Sequence, residues 1–541
     1  MEIERDEVTK NVDELTTSTG RTAIFLVISK FLSFVILAIS FIIVTRILGP
    51  GKYGIYTLII TIVGLFGVVG NLGISTALNK FISEYRYKNK KEKIESILSN
   101  SFAIEIVIGG LLSLAMFFSS GAFAHYVFHN TNVIYLIQIS AAIILITILY
   151  DSALSALIGF NKGLQITIVM FIEGILQTAL SVMLVIYGFG VIGPIIGIIA
   201  GQLTGFLIAV YILFIKPKVK IRIEKKTIKK ILSFSVPITV SNIIGGIVPQ
   251  IAPILLSTII IYFSGFALMH TNVASSSVVL GNYGIASKVS YFIDVILGSI
   301  SLSLLSLFSK LFTGNNQQNM GKFYNYAIFL AFLFIAPILF MIFALSAPFS
   351  YTLFSGYYTL APTYLKIVSI GILASIFGMY ANVLLISKNK VKKVMRISII
   401  ITAIQLVLMP ILLFLFEGIG LVVLLFLIQP ILSSIFLLNA IKSEFNLHID
   451  SLKILRVFAS NIIAFAFIIP FIIFASHSYI MLLIVGVLII LLVYPIVLAK
   501  TQAIETRDLN IIKNIGNSLP VIKWFLNFYI LYISQFLSNA D

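Results

Sequence analysis

The chain has 541 residues, 59% of them hydrophobic and only 11% charged, and its mean hydropathy is +1.10. A soluble globule needs a solvated surface that this composition does not supply, which excludes soluble enzymes and soluble binding modules. The formal net charge of +17 is the signature of Lys- and Arg-rich cytoplasmic loops, so no nucleic-acid partner is expected, and the absence of Cys excludes disulfides, thiolate nucleophiles and Cys-based metal sites.

Residues 1–20 are polar and acidic, without a basic n-region or cleavage site, and are expected as a cytoplasmic tail. Apolar runs of about twenty residues follow, the length that crosses ~30 Å of hydrocarbon. They are rich in Ile, Leu and Phe and lack period-2 alternation, which predicts helices rather than an outer-membrane barrel. The predicted spans are 22–45, 54–76, 97–119, 135–158, 165–187, 190–215, 231–262, 282–309, 324–347, 360–386, 396–416, 419–440, 456–475 and 479–499. The expected fold class is an all-α polytopic membrane protein with about fourteen transmembrane helices. Its parts are a tail (1–20), a six-helix lobe (21–215), a basic cytoplasmic linker (216–230), a second six-helix lobe (231–441), two extra helices (442–500) and a cytoplasmic tail (501–541). In that last tail an apolar run, Trp524 to Leu537, follows Lys523; it is short for a span and reads as an interfacial helix.

Lys and Arg test the count. They gather in 80–93, 216–230, 388–396 and other loops that fall on one side when the spans alternate, while 120–132, 263–281, 348–359 and 476–478 contain none. The positive-inside rule then places both termini in the cytoplasm of a cell-membrane protein.

The turn Gly49-Pro50-Gly51-Lys52-Tyr53-Gly54 and the stretch Gly281-Asn282-Tyr283-Gly284 each precede an apolar helix and a polar exit. Six helices separate them, so the two lobes form a parallel repeat with its axis along the membrane normal. Arg46-Ile47-Leu48-Gly49-Pro50, Tyr53-Gly54, Leu72-Gly73-Ile74 and Ser83-Glu84-Tyr85 resemble the polysaccharide biosynthesis flippases of the multidrug/oligosaccharidyl-lipid/polysaccharide exporter superfamily. Ser233 to Pro237 with Tyr283-Gly284 is similar to that family's second half. The resemblance covers roughly residues 20–440. It implies two lobes around a cavity that faces each side in turn, a polyprenyl-linked oligosaccharide as substrate, membrane lipids as surroundings and association with glycan assembly proteins.

Ionisable residues within spans cost about 2.5–3.5 kcal/mol each at mid-helix and tend to face a cavity or a partner. Arg46, Lys52, Lys288 and Lys366 are the candidate substrate-binding residues, because cations offset the desolvation of a lipid-linked phosphate. The resemblance also matches Arg46 and Lys52, by spacing from the Leu-Gly pair, to two cavity arginines of the lipid II flippase branch; Lys52 lacks the bidentate fork. The alternatives are interfacial snorkelling and, for Lys288, pairing with Asp294. Glu105, Asp151 and Glu173 are the candidate proton or Na⁺ coupling set, against local hydrogen bonding or pairing with Lys30. Gly193, Gly197, Gly201 and Gly205 form an i+4 stripe for close helix packing. His125 and His129 lack the partners of a metal site, no phosphate loop or Ser/His/Asp set is present, and neither metal nor cofactor is expected. The alternative function is an ion-coupled multidrug or cation antiporter of the same superfamily, which would favour acidic cavity residues. A membrane glycosyltransferase would need catalytic carboxylates or a large outer loop.

The absence of Cys makes the predicted topology directly readable. A membrane-impermeant maleimide added to intact cells is expected to label Asn130→Cys, and to label Asn89→Cys only after the membrane is opened.

Overall fold

Backbone groups in hydrocarbon have no water to bond, so each segment must satisfy its own N–H and C=O groups. The structure, a computed structural model, describes residues 2–70, 72–217, 219–263, 276–313, 320–388, 390–445, 451–474, 478–506, 508–509, 513 and 529–536, and every regular element among them is helical. Eleven helical stretches of the described residues are long and apolar enough to cross a membrane. The chain divides into two compact units, Met1–Gly284 with Leu406–Leu421, and Ile285–Gln405 with Val422–Asp541.

The first unit holds α1 (Glu2–Gly70), α2 (Ile74–Tyr87), α3 (Lys91–Phe123), α4 (Ile134–Gly159), α5 (Gly163–Ile186), α6 (Ile192–Val210), α7 (Lys225–Phe263) and the start of α8 (Ser276–Thr313). α1 is not one straight rod. Gly49 breaks it at φ 70° and ψ 171°, just ahead of Pro50. The rings of Phe41 and Tyr53 lie 6.1 Å apart, whereas twelve residues of straight helix span about 18 Å. The chain therefore reverses at Gly49, a left-handed position that glycine occupies at no steric cost. The expected loop at 46–53 is compressed into this break, and Arg46 and Lys52 sit on helix at either side of it.

The four-glycine stripe lays α6 on α5: a Cβ on Gly197 would stand 2.0 Å from Ser181 Oγ, and one on Gly201 2.7 Å from Gln177 Cβ. The two Tyr-Gly stretches pack on each other. A Cβ on Gly54 would stand 1.6 Å from the Ser277 carbonyl oxygen, and one on Gly281 2.0 Å from that of Pro50. Dispersion between closely approaching backbones replaces the missing side chains at such approaches.

The basic segment 216–230 is tied to α3. Asn100, fully buried, donates to the Arg222 carbonyl (2.9 Å) and accepts from the Glu224 N–H (3.0 Å). Arg222 pairs with Glu92 (3.2 Å) and Glu95 (3.4 Å). α7 already begins at Lys225, earlier than the predicted 231, because Lys and Thr–Ile–Lys–Lys are compatible with a polar helical extension. On the same face Lys88 donates to Glu84 at 2.6 Å and holds that carboxyl below the usual range.

The second unit holds the rest of α8, α9 (Met320–Ala344), α10 (Ser346–Leu353), α11 (Ala361–Ser387), the two ends of α12 (Val391–Val423), α13 (Gln429–Phe445), α14 (Ser451–Ala466), α15 (Ile469–Phe474), α16 (Tyr479–Leu488) and α17 (Tyr494–Lys500), while residues 406–421 of α12 belong to the first unit. The 406–421 part of α12, in the first unit, is interrupted at Glu417 (φ 45°, ψ −123°). A Cβ on Gly420 would stand 2.0 Å from the Leu412 carbonyl oxygen, so the chain folds back there as the predicted boundary between 416 and 419 requires. Buried tyrosines staple the second unit through main-chain carbonyls: Tyr324 to Phe377 (3.1 Å) and Tyr494 to Leu333 (3.1 Å). Glu444 gathers Lys388, Lys390 and Lys393 at 3.2–3.8 Å. Of the predicted interfacial helix, Lys523 and Trp524 lie outside the described residues; residues 529–536 are helical, and Tyr532 donates to the Leu492 carbonyl (3.2 Å).

The Gly54 contact admits no side chain. Gly54→Ala is expected to destabilise the protein by about 1–3 kcal/mol or more. Gly110→Ala, whose Cβ would meet nothing within 4 Å, should be neutral or gain up to about 1 kcal/mol of helix propensity. Thermal unfolding in detergent, read by size exclusion, checks both.

Candidate functional site

A cavity of about 320 Å³ opens within the first unit, between α1, α2, α3, α4 and α7. Its origin is local. Gly64 and Gly67 on α1 present no side chain, and a Cβ on Gly67 would meet nothing within 4 Å. The polar lining is Ser75 from α2, Glu105 from α3, Thr147, Asp151 and Ser152 from α4, and Asn242 from α7.

Glu105 is only 4% exposed. One carboxyl oxygen accepts from the Ser152 hydroxyl, and the other is buried with no hydrogen-bond partner among the described residues. Asp151, next to Ser152 along the chain, is open to solvent at the same cavity. Thr147 is oriented by donating to Gln202 Oε1 at 2.6 Å, which fixes α4 against α6. The lining carries oxygen ligands, and no Lys, Arg or His among the described residues lines the space. Such a set suits a proton or a hard cation rather than a phosphate. Among the described residues no group of three or more His, Asp or Glu side chains is arranged to hold a metal ion.

The structure thus brings together two of the three candidate coupling residues. Glu173 is not in that lining; it is buried in the α5–α6 seam, where a Cβ on Gly205 would lie 3.3 Å from the Glu173 Cβ. The side chain of Lys30, its suggested partner, lies outside the described residues. Of the four candidate cations, Arg46 and Lys52 are exposed on α1 in the first unit, and Lys288 on α8 and Lys366 on α11 are exposed in the second. Lys288 lies with its Nζ 5.5 Å from the Tyr291 ring centroid. No ion pair with Asp294 is present; Asp294 accepts from Ser290 instead, at 3.2 Å. His125 and His129 are held by aromatic packing, His129 against Tyr262 with ring centroids 4.8 Å apart. Ser75, Thr147, Ser152 and Asn242 were not singled out in the sequence. Small polar residues are ordinary in membrane helices, and only the adjacency of Ser152 to Asp151 could have marked one of them.

A family model described as polysaccharide biosynthesis protein matches residues 19–312, more than half of the chain. A second model, MatE, matches residues 253–411. Among solved structures, the lipid II flippase MurJ in an inward closed conformation is similar at 17% identity with a TM-score of 0.70, covering 88% of this chain and 98% of that one. An inward-facing multidrug resistance MATE family transporter of the MOP superfamily is similar at 16% identity with a TM-score of 0.61, covering 75% and 92%. A MOP superfamily transporter from Pyrococcus furiosus is similar at 16% identity with a TM-score of 0.55, covering 79% and 96%. At these identities the likeness establishes the fold. No curated protein matches the chain.

The Ser152–Glu105 bond makes a measurable claim. Ser152→Ala leaves a buried carboxyl without its donor and is expected to cost about 1–3 kcal/mol. In a Glu105→Leu background the same change should cost well under half as much. Chemical denaturation of the four proteins of this cycle reads the coupling.

Proposed function

The chain belongs to the polysaccharide biosynthesis protein family, and we propose that it is an alternating-access flippase for a polyprenyl-phosphate-linked oligosaccharide. It carries the head group from the cytoplasmic to the outer leaflet of the cell membrane, for surface polysaccharide or glycoprotein assembly, with both termini cytoplasmic and glycan assembly proteins as partners. The family match over residues 19–312 is the observation that carries this reading. The similarity in fold to a lipid II flippase supports it, because that protein moves a lipid-linked substrate.

The physical problem is a polar, anionic head that must cross a zone where charge is costly. Arg46, Lys52, Lys288 and Lys366 bind its phosphate in this reading. All four side chains are exposed on the surface of their units although they stand on apolar helices. Arg46 supplies a bidentate fork and the lysines supply point charges. Glu105 and Asp151 then serve as the coupling site, exchanging a proton or Na⁺ as the cavity turns; Glu173, outside that cavity, supports it from the α5–α6 seam.

A second reading, an ion-coupled multidrug or cation antiporter of the same superfamily, is favoured by one observation: the cavity of the first unit carries two carboxylates and no cation. The MatE match over 253–411 agrees with it.

Proteoliposomes decide between them. Wild type is expected to move a fluorescent polyprenyl-diphosphate oligosaccharide across the bilayer. Arg46→Ala should lose about tenfold or more of that rate, the worth of one charge-assisted bidentate contact. Glu105→Gln should retain movement down a concentration gradient while losing its sensitivity to ionophores. Drug-cation exchange by a folded wild type that moves no lipid would hand the case to the antiporter.

A further inference from the structure

A second cavity, of about 340 Å³, lies wholly within the second unit, between α8, α11, the π-helical turn Leu424–Ile428 and α13. Its polar lining is Ser290 and Asp294 from α8, Ser375 and Asn382 from α11, and Gln429 and Ser433 from α13; Phe426 contributes an apolar surface from the π turn. The flippase reading assigns it no task.

Its chemistry narrows the ligand. Among the described residues no Lys, Arg or His lines it, so it does not suit a phosphate, and the Asp294 carboxylate repels an acidic sugar. Asn382 and Gln429 carry amides that both donate and accept, and Asp294 adds acceptors. Asn382 Oδ1 is buried with no hydrogen-bond partner among the described residues. Asp294 Oδ2 takes only the Ser290 hydroxyl, at 3.2 Å. A ligand that donates several hydrogen bonds is what these atoms lack. A bare cation is a donor substitute, but it needs oxygens closing to about 2–3 Å on all sides. A space of this volume falls in the range of small-molecule pockets, about 300–1,000 Å³. Polar groups together with an apolar face match a pyranose, which offers hydroxyls at its rim and C–H groups on its faces.

The walls are held in place. A Cβ on Gly371 would stand 1.4 Å from the Phe426 carbonyl oxygen, so α11 abuts the π turn. The Gly378 N–H donates to Ser434 Oγ (3.0 Å), and that hydroxyl donates to the Ala374 carbonyl. α11 and α13 are thereby clamped on either side of the space. π turns of one extra residue recur at functional sites because they open the regular helix ladder.

We infer that this cavity is a carbohydrate subsite that seats one neutral sugar ring of the lipid-linked head group, an assignment that rests on the flippase reading above.

The test is equilibrium binding to the full chain in lipid nanodiscs. The probes are a short-chain prenyl diphosphate, bare, and the same diphosphate carrying a neutral hexose disaccharide. Wild type is expected to bind the glycosylated probe about tenfold more tightly, the yield of two or three net hydrogen bonds. Asn382→Ala and Gln429→Ala should each erase most of that preference, whereas Arg46→Ala should weaken both probes together and keep the ratio. Monodisperse elution and an unshifted melting temperature confirm that the variants fold; Ser433→Ala replaces either one that does not. A wild type without preference overturns the subsite, as does a preference that survives in the folded variants. Stabilisation of wild type by NaCl over choline chloride, lost in Asp294→Asn while the preference persists, would make the cavity a cation site and overturn it too. A wild type that binds neither probe removes the flippase reading itself.

Discussion

Hydrocarbon denies water to the backbone, and nearly every feature of this protein follows from that denial. Helices satisfy their own N–H and C=O groups, so apolar side chains no longer need to drive association, since lipid tails are as apolar as they are. What then holds helix to helix is contact at backbone range. Gly197 and Gly201 bring α6 onto α5, and Gly371 brings α11 onto the 424–428 turn, each at separations no side chain permits. Polar groups are sparse, and where they occur inside a unit they converge. Glu105, Ser152 and Thr147 do so in one unit, and Asp294, Ser290 and Asn382 in the other.

In the proposed mechanism the two cavities divide the chemistry that a head-group carrier needs. One carries two carboxylates among small polar groups, with a carboxyl oxygen left unsatisfied. The other carries amides and hydroxyls beside an aromatic face. Neither contains a cation, and the exposed Arg46, Lys52, Lys288 and Lys366 stand outside both linings. Charge neutralisation, ion exchange and sugar recognition thus fall to three separate sets of residues in the proposed mechanism.

The helical class and most spans were legible because an apolar run of membrane length has few other fates. The reversal at Gly49 was legible as a turn, from Gly-Pro-Gly, but its tightness was not; a one-residue break depends on φ at a single position. The start of α7 at Lys225 was hidden by charge, since a run of lysines reads equally as loop or as a helix projecting into water. Glu105 and Asp151 could be picked out as costly charges in spans. That Glu173 is not in their cavity lining could not, because a helix that is apolar all round gives no rotational phase to say which face turns inward. The same lack of phase concealed Asn242, Thr147 and Asn382. The Tyr-Gly repeat was visible as a pattern, while the packing of one copy against the other belongs to tertiary structure alone.

That packing has a bearing on how the protein is made. Gly54 and Gly281 are far apart in the chain, yet Gly54 seats the backbone of Ser277 and Gly281, and Gly281 seats that of Pro50. A ribosome delivers α1 long before α8, so the second half of α1 must wait in the membrane with its glycine face open to lipid. Loop closure over such a distance is slow to organise but, once made, costs little more than a shorter one. This contact within the first unit is therefore made late in synthesis, by the arrival of residues 276–284, and a chain truncated before them would keep α1–α7 without it.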